Sequence, residues 1–124
     1  MKKYVLMSLV ASFILVSCQE SMEDKCAREV SDFTRKKCPS RIDDNIIIDS
    51  MTFDRERHVI GYWYTATGLA DNPKVFAKPD MKKTLINQVH NSTSLKPYRD
   101  AGYSFRYVYR SASNKHVLFD TTVK

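Results

Sequence analysis

The sequence predicts one small α+β domain over residues 18–124, in the order helix, strand, strand, helix, strand, strand, forming a four-stranded antiparallel sheet with both helices on one face. Three observations predict it. Two stretches repeat apolar residues at helical spacing, several runs are rich in branched and aromatic residues, and near the C-terminus aromatic and polar residues alternate. Each helix then has a single apolar face to bury, and a sheet covered on one side accommodates both.

The first helix is marked by Met22, Cys26, Val30 and Phe33, spaced four, four and three apart and therefore on one face. Ser21 with Asp24 has the form of an N-terminal cap, Glu23 and Asp24 favour the first turn, and Arg35, Lys36 and Lys37 favour the last. Pro39 disfavours helical geometry at Cys38 and ends the element. An intact helix separates Cys26 from Cys38 by about 18 Å at ~1.5 Å per residue, whereas a disulfide needs Cα atoms within about 7 Å. Cys26 therefore reads as a small core residue, and a bond to Cys38 is disfavoured. His58, His90 and His116 have no ligand spacing with either thiol, so neither a metal nor a cofactor is expected.

Residues Ile46 to Phe53 and His58 to Ala66 read as an antiparallel strand pair around the polar turn Asp54-Arg55-Glu56-Arg57. Gly68 to Pro79 reads as a loop. Pro79 suits a first helical turn, and Met81, Leu85 and Val89 define a second amphipathic helix that fades at Asn91-Ser92-Thr93-Ser94. A short turn from Leu95 to Ala101 follows, ended by Gly102. Tyr103, Phe105, Tyr107 and Tyr109 then alternate with Ser104, Arg106, Val108 and Arg110, as in a strand with one buried face. Ser111 to Lys115 makes a turn, and His116 to Val123 a last strand.

The N-terminus carries a different signal. Lys2 and Lys3 precede an apolar run from Tyr4 to Val16, and Leu15-Val16-Ser17-Cys18 closes it. That run is about 13 residues long, short of the ~20 that a spanning helix needs. These residues resemble the lipobox signal peptides of bacterial lipoproteins. The resemblance implies removal of residues 1–17 and lipidation of Cys18 as a diacylglyceryl thioether with N-acylation. Acyl chains worth ~0.8 kcal/mol per buried methylene would hold the domain on a bilayer without an amphipathic helix. Gln19 lacks the aspartate that retains lipoproteins in the inner membrane of enteric bacteria, which favours the outer membrane.

Charge argues against a nucleic-acid partner. The chain has 20 basic and 14 acidic residues; without Lys2 and Lys3 the surplus falls from six to four. Gly102 to Tyr109 resembles the aromatic strand of an RNA-recognition module. It lacks the leading basic residue and has Arg106 where an apolar one is expected.

A second resemblance covers roughly residues 38 to 122. Cys38-Pro39, Asp49-Ser50, Tyr62 to Thr65, Leu85 and Tyr98 to Tyr109 are similar to a group of small exported bacterial proteins of uncharacterised function. It supports the fold and implies no activity. Members of that group often carry a cysteine near the end of the middle helix, where this chain has His90-Asn91-Ser92, so the resemblance supplies no partner for Cys38.

No nucleophile elbow, zinc-protease motif or phosphate-binding glycine loop is present. Asp43-Asp44 and the Arg55, Arg57, His58 cluster read as solvated turns. The candidate functional residues are aromatic and basic: Tyr62, Trp63 and Tyr64 with Arg106 and Arg110, on strands that also carry Tyr103, Tyr107 and Tyr109. Trp63 faces away from Tyr62 and Tyr64, so a one-sided sheet cannot bury all of them. Tyr, Trp and Arg carry interface energy. The expected function is a non-catalytic, lipid-anchored module of the cell envelope that docks another envelope protein. The alternative is a binder of envelope glycan or anionic lipid, and a small enzyme ranks third. Asp49-Ser50-Met51 and Asp120-Thr121-Thr122 further resemble the O-glycosylation acceptor of Bacteroidetes envelopes, and Asn91-Ser92-Thr93 has the N-glycosylation form.

Overall fold

A computed structural model describes residues 20–124 of the chain. Helix α1 spans Met22–Lys37, strand β1 Ser40–Asp43, β2 Ile46–Asp54 and β3 Val59–Ala66. A 3-10 turn at Gly68–Ala70 leads to helices α2 (Pro73–Phe76), α3 (Asp80–Asn91) and α4 (Lys96–Asp100), then to strands β4 (Ser104–Ser111) and β5 (Val117–Val123). The readings on residues 1–17 and Cys18 lie outside the described residues. Among those described, no helix is long and apolar enough to cross a membrane.

The class is α+β on one sheet, but among the described residues the sheet has five strands in the order β1-β2-β3-β4-β5 and is mixed. Two expectations are corrected. Ser40–Asp43 adds an edge strand, antiparallel to β2 through Ser40↔Ile48 and Arg41↔Ile47. Its four residues are all exposed, so it shows neither the apolar run nor the alternation that marks a strand. The central pair β3/β4 is parallel, from Val59↔Ser104 to Ala66↔Ser111, while β1/β2, β2/β3 and β4/β5 are antiparallel. The cause is the connection: β3 and β4 are joined by a helical crossover over residues 67–103, which returns the chain to the starting end of the sheet.

The first helix forms where the sequence places it. Ser21 Oγ accepts from the Asp24 backbone N–H at 3.1 Å, and Cys38 at the far end is extended, with φ −109° and ψ 146°. Cys26 and Val30 enter the core, and Thr34 Oγ1 bonds the backbone of Met51 on β2 in both directions. Cys26 and Cys38 are both free thiols. Burial and then the charge of Glu29 push the Cys26 thiol up to about 11.

All helices cover one face of the sheet, as expected from their single apolar stripes. Beneath them lie Ile48, Ile60, Tyr64, Ala66, Phe105, Tyr107 and Tyr109, packed with Cys26, Val30, Phe76, Leu85, Val89 and Tyr98. The tyrosines form a ladder: Tyr62 on Tyr107 at 4.8 Å between centroids, and Tyr64 on Tyr109 at 4.5 Å. Burial raises all four phenols, Tyr107 and Tyr109 to about 12. The Gly68 to Pro79 segment is more ordered than a loop. Asn72 caps α2 by accepting from the Lys74 N–H, and α2 inserts Phe76, 5% exposed, against Tyr109 and Phe119.

Candidate functional site

Among the described residues no helix lies on the opposite face of the sheet. Strand alternation and register place Thr52 and Asp54 of β2, Gly61, Trp63 and Thr65 of β3, Arg106, Val108 and Arg110 of β4, and Asp120 and Thr122 of β5 there. Trp63, Arg106 and Arg110 meet at its centre. The Arg106 guanidinium carbon lies 5.4 Å from the Trp63 ring centroid and that of Arg110 lies 5.1 Å from it. Both are within cation–π range. Parallel pairing of β3 with β4 creates this contact, since Arg106 and Arg110 flank Val108, the register partner of Trp63.

Val108 is the energetic counterpart of that cluster. It is 1% exposed yet stands outside the helix-covered core, bordered by Trp63, Asp120, Arg106 and Arg110. Long side chains thus lie across the sheet and keep one valine dry. Arg106 is held by Asp120, which accepts from its Nε at 3.0 Å and from its second terminal nitrogen at 2.7 Å. The hydrogen bonds from Arg106 hold the Asp120 carboxyl below its ordinary range. Among the described residues Arg110 makes no ion pair, so its charge is available to a partner.

Gly61 fixes the position of the indole. A Cβ built there would stand 2.5 Å from Thr52 Oγ1 and 3.1 Å from Trp63 Nε1. The indole N–H donates to Thr52 Oγ1 at 2.9 Å through that space. Beside it, a depression of about 410 Å3 is lined by Thr52, Asp54, Arg57, Val59, Gly61, Trp63, Arg106 and Thr122.

Tyr62 and Tyr64 do not belong to this surface. Their side chains are on the helix-covered face, Tyr64 at 8% exposure, because residues flanking Trp63 on a strand point the other way. Tyr103, Tyr107 and Tyr109 are buried with them, so the resemblance to an RNA-binding strand fails on geometry: its rings are covered by helices. Conversely, sequence reasoning missed Thr52, Gly61, Val108, Asp120 and Thr122. A glycine within a strand is a signal of close approach, and the β4–β5 hairpin register brings Arg106 beside Asp120.

The turn cluster is structural. His58 has φ 55°, its ring stacks on Tyr103 at 4.6 Å, and its Nε2 is 3.1 Å from Glu23 Oε1. Arg55 bonds Asp24 at 2.8 Å. These contacts pin the start of α1 to the β2–β3 turn. Among the described residues no group of three or more acidic, histidine or cysteine side chains could hold a metal ion.

A family model described as a domain of unknown function, DUF8479, matches residues 21–119. No curated protein matches the chain in sequence. Three solved structures share its fold. A Pseudomonas aeruginosa protein described as secreted aligns with TM-score 0.66 at 12% identity, covering 86% of this chain and 96% of its own. The type 2 secretion system pilotin EpsS of Vibrio vulnificus aligns with TM-score 0.62 at 12% identity, over 82% of this chain and 86% of the pilotin. The type II secretion pilotin AspS of Vibrio cholerae aligns with TM-score 0.57 at 17% identity, over 82% and 87%.

Proposed function

The chain belongs to the DUF8479 family, whose description assigns no activity, and from that premise we propose that it is a lipid-anchored, non-catalytic interaction module of the bacterial envelope. Cys18 carries the lipid and the domain from residue 18 onward stands on the membrane, most simply the outer one. Its partner is another envelope protein, docked on the helix-free face of the sheet.

The observation that carries this reading is the placement of Trp63, Arg106 and Arg110 together on the only broad face that no helix covers among the described residues. Tryptophan and arginine are enriched among the residues that carry most of the energy of protein interfaces. They are also held in place before binding by Thr52 and Asp120, which lowers the ordering cost of association. A fold shared with two secretion-system pilotins and a protein described as secreted supports an envelope setting. The reading of a non-enzyme rests on the same surface, whose charges are engaged in pairing and stacking.

Affinity capture of the crosslinked protein from living cells, followed by mass spectrometry, tests this reading. Wild type should recover one discrete envelope protein that Trp63→Ala and Arg110→Ala lose. Equal recovery by both variants would remove the docking surface. Intact mass of the membrane-extracted protein tests the anchor separately: cleavage before residue 18 with two or three acyl chains added is expected, and an unprocessed or unacylated mass contradicts it.

A further inference from the structure

We infer that the depression beside Trp63 is a subsite for an uncharged saccharide. This goes beyond the docking reading and concerns a site that shares Trp63 and Arg106 with the docking cluster and differs from it elsewhere. Arg57 and Thr122 belong to the depression alone, and Arg110 belongs to the docking cluster alone.

The lining decides the chemistry of the ligand. A sugar presents hydroxyls that both donate and accept, around a ring with apolar C–H faces. Its receptor must therefore offer donors, acceptors and an apolar wall together. The depression has all three. Arg57 is a donor, the Asp54 carboxylate an acceptor, Thr122 a hydroxyl that can be either, and Trp63 with Val59 the apolar wall. At about 410 Å3 it lies within the ~300–1,000 Å3 of small-ligand sites. Gly61 sets the position of that wall, since a Cβ there would displace the indole from its bond to Thr52.

Charge excludes the competing ligand. A phosphate or sulfate offers acceptors only and needs a net positive site. Here Arg57 and Arg106 are balanced by Asp54 on the lining and by Asp120, which is bonded to Arg106 at 2.7 Å. Asp54 already accepts the backbone N–H groups of Glu56 and Arg57 at 3.0 and 3.1 Å, which fixes its carboxylate at the rim. Counting Asp120 through its bond to Arg106, the site has no surplus charge to attract an anion, whereas a neutral polyol can hydrogen-bond Arg57 and Asp54, neither of which makes an ion pair among the described residues.

Trp63 is the only tryptophan in the chain, so intrinsic fluorescence reports on the site directly. The full protein, purified from cells in detergent, is titrated with the trisaccharide of N-acetylglucosamine, with a neutral glucose trisaccharide and with inorganic phosphate. At least one of the two trisaccharides should give a saturable change in emission that persists at ~0.5 M salt, where the Debye length is only a few Å. Arg57→Ala and Thr122→Ala, both at exposed positions, should each weaken it about fivefold to tenfold, the effect of about one hydrogen bond. Lys82→Ala, at an exposed position on α3, should leave it unchanged. The inference is overturned by absence of saturable change with both trisaccharides, by wild-type affinity in both Arg57→Ala and Thr122→Ala, or by a response to phosphate that salt abolishes. Loss of the response in Arg110→Ala with Arg57→Ala unaffected would also overturn it, since the ligand would then sit on the docking cluster.

Discussion

Trp63 Nε1 donates to Thr52 Oγ1 at 2.9 Å across the position where Gly61 has no side chain. A cross-strand hydrogen bond, a missing Cβ and an indole laid along the sheet are one device, and the arginines of β4 complete it from the other side.

Gly61→Ala tests that device. The new methyl would begin 2.5 Å from Thr52 Oγ1, so the threonine or the indole must move. Overpacking of this kind costs about 1–3 kcal/mol. Thermal unfolding should show a midpoint lowered by several degrees and a shifted Trp63 emission. An unchanged midpoint with unchanged emission would mean that Gly61 is not needed to seat the ring.

Phe76→Ala should destabilise by about 3–5 kcal/mol, the cost of removing a buried aromatic ring. Phe76 is 5% exposed and packs on Tyr109 and Phe119. Urea unfolding measures it, and a loss under ~1 kcal/mol would mean that α2 is a surface turn.

The pair Arg106–Asp120 makes stability depend on acid. Its side chains are 42% and 37% exposed, so its worth is screened to about 0.5–1 kcal/mol. The Asp120 carboxyl is depressed by hydrogen bonds from Arg106. Its contribution is therefore complete above the ordinary aspartate range near ~3.9 and is lost as pH falls through the depressed value. Asp120→Asn should flatten this part of the pH profile and leave the neutral-pH midpoint lowered by no more than that amount. Denaturant midpoints of both proteins from neutral to acid pH check the sign.

The thiols should differ in reactivity. Cys26 is 1% exposed with its thiol pushed up to about 11, while Cys38 is only partly buried. A thiolate reagent at mildly alkaline pH should label Cys38 in the folded protein and Cys26 only with denaturant, by peptide mapping. Labelling of Cys26 without denaturant would show that α1 opens from the sheet.

Local signals in the sequence were sufficient where the structure is local. Ser21, Pro39 and the Met22, Cys26, Val30 spacing delimit α1, and the alternation from Tyr103 to Arg110 sets β4 and its buried side. What was not legible is non-local. Ser40–Asp43 has no apolar face to betray a strand, and Phe76 lies in a stretch whose glycine and prolines suggest a loop. The parallel β3/β4 pair follows from a helix between two hairpins, yet which strands become neighbours is settled by how that helix packs. The same holds for the site. Alternation alone separates Trp63 from Tyr62 and Tyr64, but its meeting with Arg106 and Arg110 needs the register, and Asp120 enters only through the β4–β5 hairpin.

Docking of a protein on the helix-free face is open to site-specific photo-crosslinking in living cells. A photo-reactive residue placed at Arg110 or Thr65, on that face, should yield one discrete adduct with an envelope protein, and Trp63→Ala should abolish it. The same residue at the exposed Lys82 on α3, outside that face, should yield none. An adduct from position 82 alone, or none from positions 65 and 110, would contradict the claim.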